Sequence, residues 1–253
     1  MVSESAVIIG VGARLGVGAA IAVKAAREGL HVFIAGRTPA KLDLIVDEIV
    51  AAGGQATAVI MDCTIDEDIT ALFEQVSNSG TVLRLVVYNT GRNLPAPFME
   101  HDVRLIEGHW RRCVLGGMLV GQAAIRLMQQ HIDENHGDQL GTILYTGASA
   151  SMRGKPLFSG FASAKAALRA MVQSMAREFG PQGIHIGHIV IDGVIDGDVI
   201  RSVKGLGKLA LKLKGEDGAL RPDEIAQAFW MLHRQQPNSW THEIDLRPFK
   251  EAF

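Results

Sequence analysis

Three stretches of the chain bring together residue types that could do chemistry. The first, Gly12-Ala13-Arg14-Leu15-Gly16-Val17-Gly18, lies between the apolar run Ala6 to Ile9 and the helical pattern Ala19 to Glu28. Glycines let a backbone turn tightly and approach a pyrophosphate, and unpaired N–H groups at the start of the next helix attract its charge. A glycine-rich turn alone is weak evidence, but a strand before and a helix after it favour nucleotide binding over a purely structural turn. The second stretch, Ala35-Gly36-Arg37-Thr38, offers a guanidinium and lacks the acidic residue that would hold a ribose 2′-hydroxyl. Arginine pairs bidentately with phosphate, and Arg14 lies in the turn expected to face the same ribose, so NADP(H) is expected over NAD(H). The third, Phe161-Ala162-Ser163-Ala164-Lys165, puts Phe161 and Lys165 at i and i+4, on one face of a helix.

The elements needed to position these residues are legible as short apolar runs near 6–10, 31–36, 56–61, 83–89, 141–146 and 184–191, separated by amphipathic helical stretches. That alternation implies crossover units and a mostly parallel sheet, and continuous runs such as Val32-Phe33-Ile34-Ala35 suit strands buried on both faces. The fold expected is α/β, a Rossmann-like doubly wound parallel sheet of about seven strands with helices on both faces, its last strand within 239–248. With 253 residues and no internal linker, residues 1–253 read as one domain. The compositional break at 202–218 carries Lys204, Lys208 and Lys212 at i, i+4 spacing between glycines. It reads as a solvated helix face or as part of a mobile lid at about 195–218.

Composition narrows the function. Apolar residues make up 47% of the chain and mean hydropathy is +0.16, enough for a large core. The net charge of -2 lacks the basic excess that phosphate-backbone binding needs, so no nucleic-acid partner is expected. The two cysteines, Cys63 and Cys113, have no partner at metal-ligand spacing, which argues against a metal and for reduced thiols. No basic leader or membrane-length apolar run is present, so a cytoplasmic protein without a membrane partner is expected.

The glycine spacing Gly-x-x-x-Gly-x-Gly resembles the short-chain dehydrogenase/reductase superfamily, with Val11 where that family usually has Thr. Asp62-Cys63 resembles the family's pair set against the adenine, and Tyr88-Asn89-Thr90-Gly91 resembles its Asn-Asn-Ala-Gly motif. On this resemblance the cofactor-binding residues are Gly12, Arg14, Leu15, Gly16, Gly18, Arg37, Asp62, Cys63, Asn89, Gly91 and Lys165. The turn Asp192-Gly193-Val194-Ile195-Asp196-Gly197 stands where the family has Pro-Gly and a later Thr near the nicotinamide, which adds Gly193 and Val194. The resemblance covers about residues 6 to 200 and implies a homo-oligomer, a dimer or tetramer. His242 and Glu243 read as structural or interfacial.

The family's catalytic set is Asn, Ser, Tyr and Lys. Here Cys113, Ala148 with Ser149 beside it, Phe161 and Lys165 stand at those positions, so only the lysine matches. The catalytic candidates are Lys165, Phe161, Ser149 and Cys113. A carbonyl that accepts hydride becomes an alkoxide, and a positioned acid typically contributes about 10² to 10⁴-fold. Phe161 has no proton to give, whereas a protonated imine is neutralised by the hydride itself. The expectation is therefore an NADP(H)-dependent oxidoreductase with a non-standard proton donor, acting on an imine-like or otherwise activated substrate. Candidate donors are Ser149, Ser159, Asp196 and a water held by Lys165. The alternatives are a nucleotide-binding protein without turnover, as a sensor or subunit partner, and a cofactor-free lyase-like relative. Leu94, Pro95, Phe98, Met152, Leu157 and Phe158 suggest an apolar or aromatic small-molecule substrate.

Overall fold

The computed structural model describes residues 3–91, 93–130, 139–202 and 206–251. Lys204 and the rest of 203–205, within the candidate lid, lie outside the described residues. The strands are β1 (Glu4–Ile9), β2 (His31–Gly36), β3 (Gln55–Ile60), β4 (Val82–Tyr88), β5 (Gly141–Ala148), β6 (Ile184–Ile191) and β7 (Glu243–Leu246). They form one seven-stranded sheet in the order β3-β2-β1-β4-β5-β6-β7, and every neighbouring pair is parallel. The order reverses between β1 and β4, and the crevice at the carboxyl ends there is where such sheets bind ligands.

Successive strand residues point to opposite faces, and the apolar runs fill two separate cores. Ala6 and Ile8, Val32 and Ile34, and Leu85 and Val87 face α1 (Val17–Arg27), α2 (Pro39–Ala51) and α9 (Pro222–His233). Val7 and Ile9, Phe33 and Ala35, and Val86 and Tyr88 face α3 (Asp66–Ser77), α5 (Gly116–Gln129) and α6 (Ser159–Phe179). Helices cover both faces, as the unbroken apolar runs require. α4 (Val103–Trp110) is joined to α5 through a π-helical turn, Arg111–Leu115, so the helix carrying Cys113 is locally unwound rather than continuous. α7 (Asp198–Arg201) and α8 (Leu206–Lys214) follow β6. No helix among the described residues is long and apolar enough to cross a membrane.

The edge strand β7 is short and carries an acid that the register explains. Glu243 pairs with His188 across the ladder, which brings its carboxylate within 2.9 Å of His188 Nδ1. Arg169 of α6 closes on the same carboxylate through Nε at 2.6 Å and Nη2 at 2.7 Å. Burial is the main cause that pushes His188 down to about 4, against the pull of Glu243, so the ring is neutral at pH 7. Because a carboxylate only accepts, Nδ1–H is the donor and Nε2 is left facing the Ser151 hydroxyl at 3.5 Å. Arg169 first, then His188, hold Glu243 down to about 2 despite partial burial.

These shifts fix the sign of the acid response. The folded chain refuses protons that unfolded His188 and His233 accept near 6.5, since burial pushes both down to about 4. Stability from this source is complete above pH 6.5 and is lost as pH falls towards 4, with Glu243 adding a further loss between 4.5 and 2. Urea midpoints measured across that range should fall with acidification. Glu243→Gln should cost about 2 kcal/mol at pH 7, because Arg169 loses a charged partner.

Candidate functional site

The glycine turn is built by close backbone approach. Gly10 has φ +89, and a Cβ there would stand 2.1 Å from the Asn89 carbonyl oxygen. The N–H groups of Gly10 and Val11 both donate to Ala35 O at 3.0 Å, and Asn89 Nδ2 donates to Gly10 O at 3.3 Å, which binds the ends of β1, β2 and β4 together. A Cβ on Gly18 would come within 3.0 Å of Asn89 Nδ2 and Gly10 O, so α1 can begin this close only with glycine. At Gly12, by contrast, a Cβ would meet nothing within 4 Å. The open space beside Gly12 belongs to a 260 Å³ hollow that Gly36, Arg37, Asp62, Cys63, Asn89 and Gly91 also line.

Arg37 stands at this hollow with 64% of its side chain exposed, and its Nη1 is 3.7 Å from Asp62 Oδ2. Burial pushes the Asp62 carboxyl up, but hydrogen bonds from Thr64 and the Arg37 and Arg112 cations hold it below the usual range. Thr38 and Lys41 line the same hollow. Lys41 was not singled out in the sequence, although its spacing from Arg37 across the start of α2 was the available signal. Arg14 departs from expectation. Its Nε is 2.9 Å from Glu48 Oε2, and it lines a neighbouring hollow bordered by Arg201 and Arg221. Leu15 borders that second hollow too, and its N–H donates to Asp198 Oδ2 at 2.9 Å. Gly16 closes the turn through its N–H to Ala13 O at 3.0 Å.

The second half of the site is centred on Lys165, which is 3% exposed. Its Nζ donates to Thr90 O at 2.8 Å and Thr146 O at 2.7 Å. Burial pulls the pKa of this ammonium below the ordinary lysine value. Gly91 has φ +155, and a Cβ there would stand 3.2 Å from Lys165 Cε and 3.3 Å from Phe161 Cε2. Phe161, Cys113 and Ala164 form a small buried cluster with Ala148 against it. Burial is the main cause that raises the Cys113 thiol pKa, and Lys165 opposes it. The Cys63 thiol is likewise raised by burial. The unwound turn around Cys113 gives the Arg112 carbonyl two acceptor roles, towards the Tyr88 hydroxyl and towards Thr90 Oγ1 at 3.1 Å. π-bulges within helices often mark functional sites.

The structure thus gathers Lys165, Phe161, Cys113 and Gly91, but it engages the candidate proton donors elsewhere. Ser149 opens the short turn after β5, and its hydroxyl helps hold the Asp192 carboxylate below its ordinary range. Burial opposes that shift, and Arg153 and Arg247 outweigh it, with Arg153 Nη2 at 3.0 and 2.9 Å from the two oxygens. Ser159 Oγ lies 3.0 Å from His101 Nδ1, and Asp196 is held by Arg201 at 2.7 and 2.9 Å. Gly193 is packed so that a Cβ would sit 2.7 Å from Pro248 Cδ, and Val194 O accepts from Leu220 N at 2.8 Å. His109 was missed. It is 4% exposed, its ring stands edge-on to Phe161 with centroids 6.0 Å apart, and its buried Nδ1 has no hydrogen-bond partner among the described residues. Burial lowers its pKa, with Arg112 and His101 adding to the effect. A helical histidine four residues before Cys113 was the signal in the sequence.

Residues 6–204 match the short chain dehydrogenase family. The chain belongs to it. This family member is an NAD(P)-dependent oxidoreductase by the company of its relatives. It is 30% identical over 251 residues to an uncharacterized oxidoreductase of Methylorubrum extorquens, covering 95% of both proteins. It matches an uncharacterized oxidoreductase of Bacillus subtilis at 28% identity, of which it spans only 26% of the length. A crystal structure of a short-chain dehydrogenase from Rhodopseudomonas palustris superposes with a TM-score of 0.79 at 34% identity, over 97% of this chain and 99% of that one. The fold is shared with an alcohol dehydrogenase from Thermococcus sibiricus complexed with 5-hydroxy-NADP, TM-score 0.83 at 24% identity, covering 99% and 98%.

Lys165 carries a structural duty that can be tested apart from turnover. Lys165→Met leaves the buried carbonyls of Thr90 and Thr146 without their donor. A loss of about 2 kcal/mol is expected in chemical denaturation.

Proposed function

We propose that the chain is an NADP(H)-dependent oxidoreductase whose proton donor is not the family's tyrosine and whose substrate is an imine-like or otherwise self-activated group. The observation that carries the cofactor half is Arg37, exposed at the rim of the hollow with Thr38 and Lys41 and no acid at the end of β2. A 2′-phosphate fits Arg37 and Lys41 at this rim, and β2 ends without the acid that would hold a bare ribose hydroxyl; Asp62, which also lines the hollow, lies at the end of β3, 3.7 Å from Arg37. The open space at Gly12 and the N–H groups at the start of α1 suit a pyrophosphate. The NADP derivative in the fold-sharing Thermococcus sibiricus enzyme accords with this reading.

The nicotinamide would supply hydride, and the remaining chemistry falls to the chain. Lys165 spends two N–H groups on Thr90 and Thr146, and its third is available to a ribose hydroxyl. The Phe161 ring forms an apolar wall beside Gly91. An iminium carbon can accept hydride against such a wall, because its charge vanishes as the amine forms. A simple ketone needs a proton as well, and His109 is a titratable side chain set against the Phe161 ring, with Lys165 and Cys113 also beside it. Leu94, Phe98, Met152 and Leu157 are exposed and apolar, and the left-handed Leu157 is tied to the 93–98 segment by Ala96 N–H to Leu157 O at 2.9 Å, which supports an apolar or aromatic substrate.

Fluorescence titration should give tighter binding of NADPH than of NADH. Arg37→Ala should weaken NADPH at least about tenfold and leave NADH nearly unchanged. Equal affinities in the parent would remove the case for a 2′-phosphate site. In turnover with a cyclic imine and with a cyclic ketone, the parent should favour the imine. Phe161→Tyr should raise ketone reduction by about 10² or more with little change for the imine. Binding of NADPH without turnover of either would instead favour the nucleotide-binding protein.

A further inference from the structure

The segment after β6 lies on the glycine turn. Asp198 Oδ2 accepts the Leu15 N–H at 2.9 Å, across 183 residues of sequence. Gly197 comes so close that a Cβ would stand 2.4 Å from the Leu15 carbonyl oxygen. Its φ of -132 is ordinary, so glycine is needed here for clearance and not for conformation. The segment is anchored behind this contact. Asp196 N–H donates to Leu220 O and Leu220 N–H to Val194 O, both at 2.8 Å, while Arg201 holds the Asp196 carboxylate with two hydrogen bonds.

The N–H groups of such a turn attract anions, and here one of them already has an anion, supplied by the chain. We infer that Asp198 is an internal competitor of the cofactor's pyrophosphate, a carboxylate on the glycine turn that cofactor binding must displace or tolerate. The inference rests on the nucleotide-binding reading above. Two like charges within a few ångströms at a partly wet surface repel appreciably, and added salt weakens the repulsion. Asp198 thereby sets cofactor affinity without contacting the reacting atoms.

The test is a set of binding titrations on the full chain and its Asp198→Asn and Asp198→Ala variants, with circular dichroism to check folding. NADPH and adenosine 2′-monophosphate, which has no pyrophosphate, are the probes. At low ionic strength both variants should bind NADPH about tenfold more tightly than the parent, with the gain shrinking as salt rises. Affinity for adenosine 2′-monophosphate should be the same in all three. Unchanged or weaker NADPH binding in the variants, with adenosine 2′-monophosphate still bound, overturns the competitor and leaves the nucleotide site standing. If no protein binds either probe, both readings fall. A gain equal for the two probes also overturns the competitor, because the effect would not then depend on pyrophosphate.

Discussion

The site depends on how one buried ammonium is satisfied. β4 ends at Tyr88, paired with Tyr145, while β5 runs on to Ala148. The carbonyls of Thr90 and Thr146 lie just beyond that pair, and burying them without a donor would be costly. Lys165 reaches in from α6 and satisfies both, while the carbonyl dipoles make up part of the hydration that the buried ammonium has lost. Thr146 Oγ1 donates to Asn89 Oδ1 at 3.1 Å, and Asn89 Nδ2 donates to Gly10 O, so the same junction also fixes the glycine turn. The glycine turn and the Lys165 cluster are therefore one hydrogen-bonded unit at the point where the strand order reverses.

This arrangement limits what the lysine can do. Among the described residues no carboxylate is bound to it, and burial lowers its pKa. A lysine held by two backbone carbonyls is a fixed cation with one free N–H, suited to gripping a hydroxyl and shaping the local field. The acids in the surrounding loops have other partners. Asp192 is bound by Arg153 and Arg247, Asp196 by Arg201, and Asp198 by the glycine turn. The Asp192 and Asp196 ion pairs hold their loops in place.

Much of this was legible in the sequence because it follows from local chemistry. The apolar runs gave the strands to within about two residues, and the strand–glycine–helix order located the turn. Phe161 and Lys165 share a face by helical periodicity alone. What could not be read was long-range pairing of charges. Nothing near Arg14 in the sequence shows that Glu48 of α2 captures it, and nothing near Leu15 points to Asp198. The unwinding at Arg111–Leu115 was equally hidden, because it arises where the Arg112 carbonyl meets Tyr88 and Thr90, residues distant in sequence. His109 was passed over for a related reason, since a histidine among helical residues gives no hint that its Nδ1 will be buried without a partner among the described residues.

On the proposed reading, the residues at the positions that resemble the family's catalytic set fit together physically. A buried polar network is stable only when every member is satisfied, and losing one group leaves its neighbours unpaired at the full desolvation cost. Removing a phenol alone from a set of Asn, Ser and Tyr would strand the other two. In this chain the positions that resemble those three carry Cys113, Ala148 and Phe161, and the three pack against one another as a single apolar cluster beside Lys165. On the proposed reading, polar groups absent together leave none of their partners unsatisfied, and an apolar wall stands where a proton relay would. Such a wall favours a reacting group that brings its own charge to be neutralised. It is a poorer surface for an alkoxide, which the Phe161 ring itself cannot protonate.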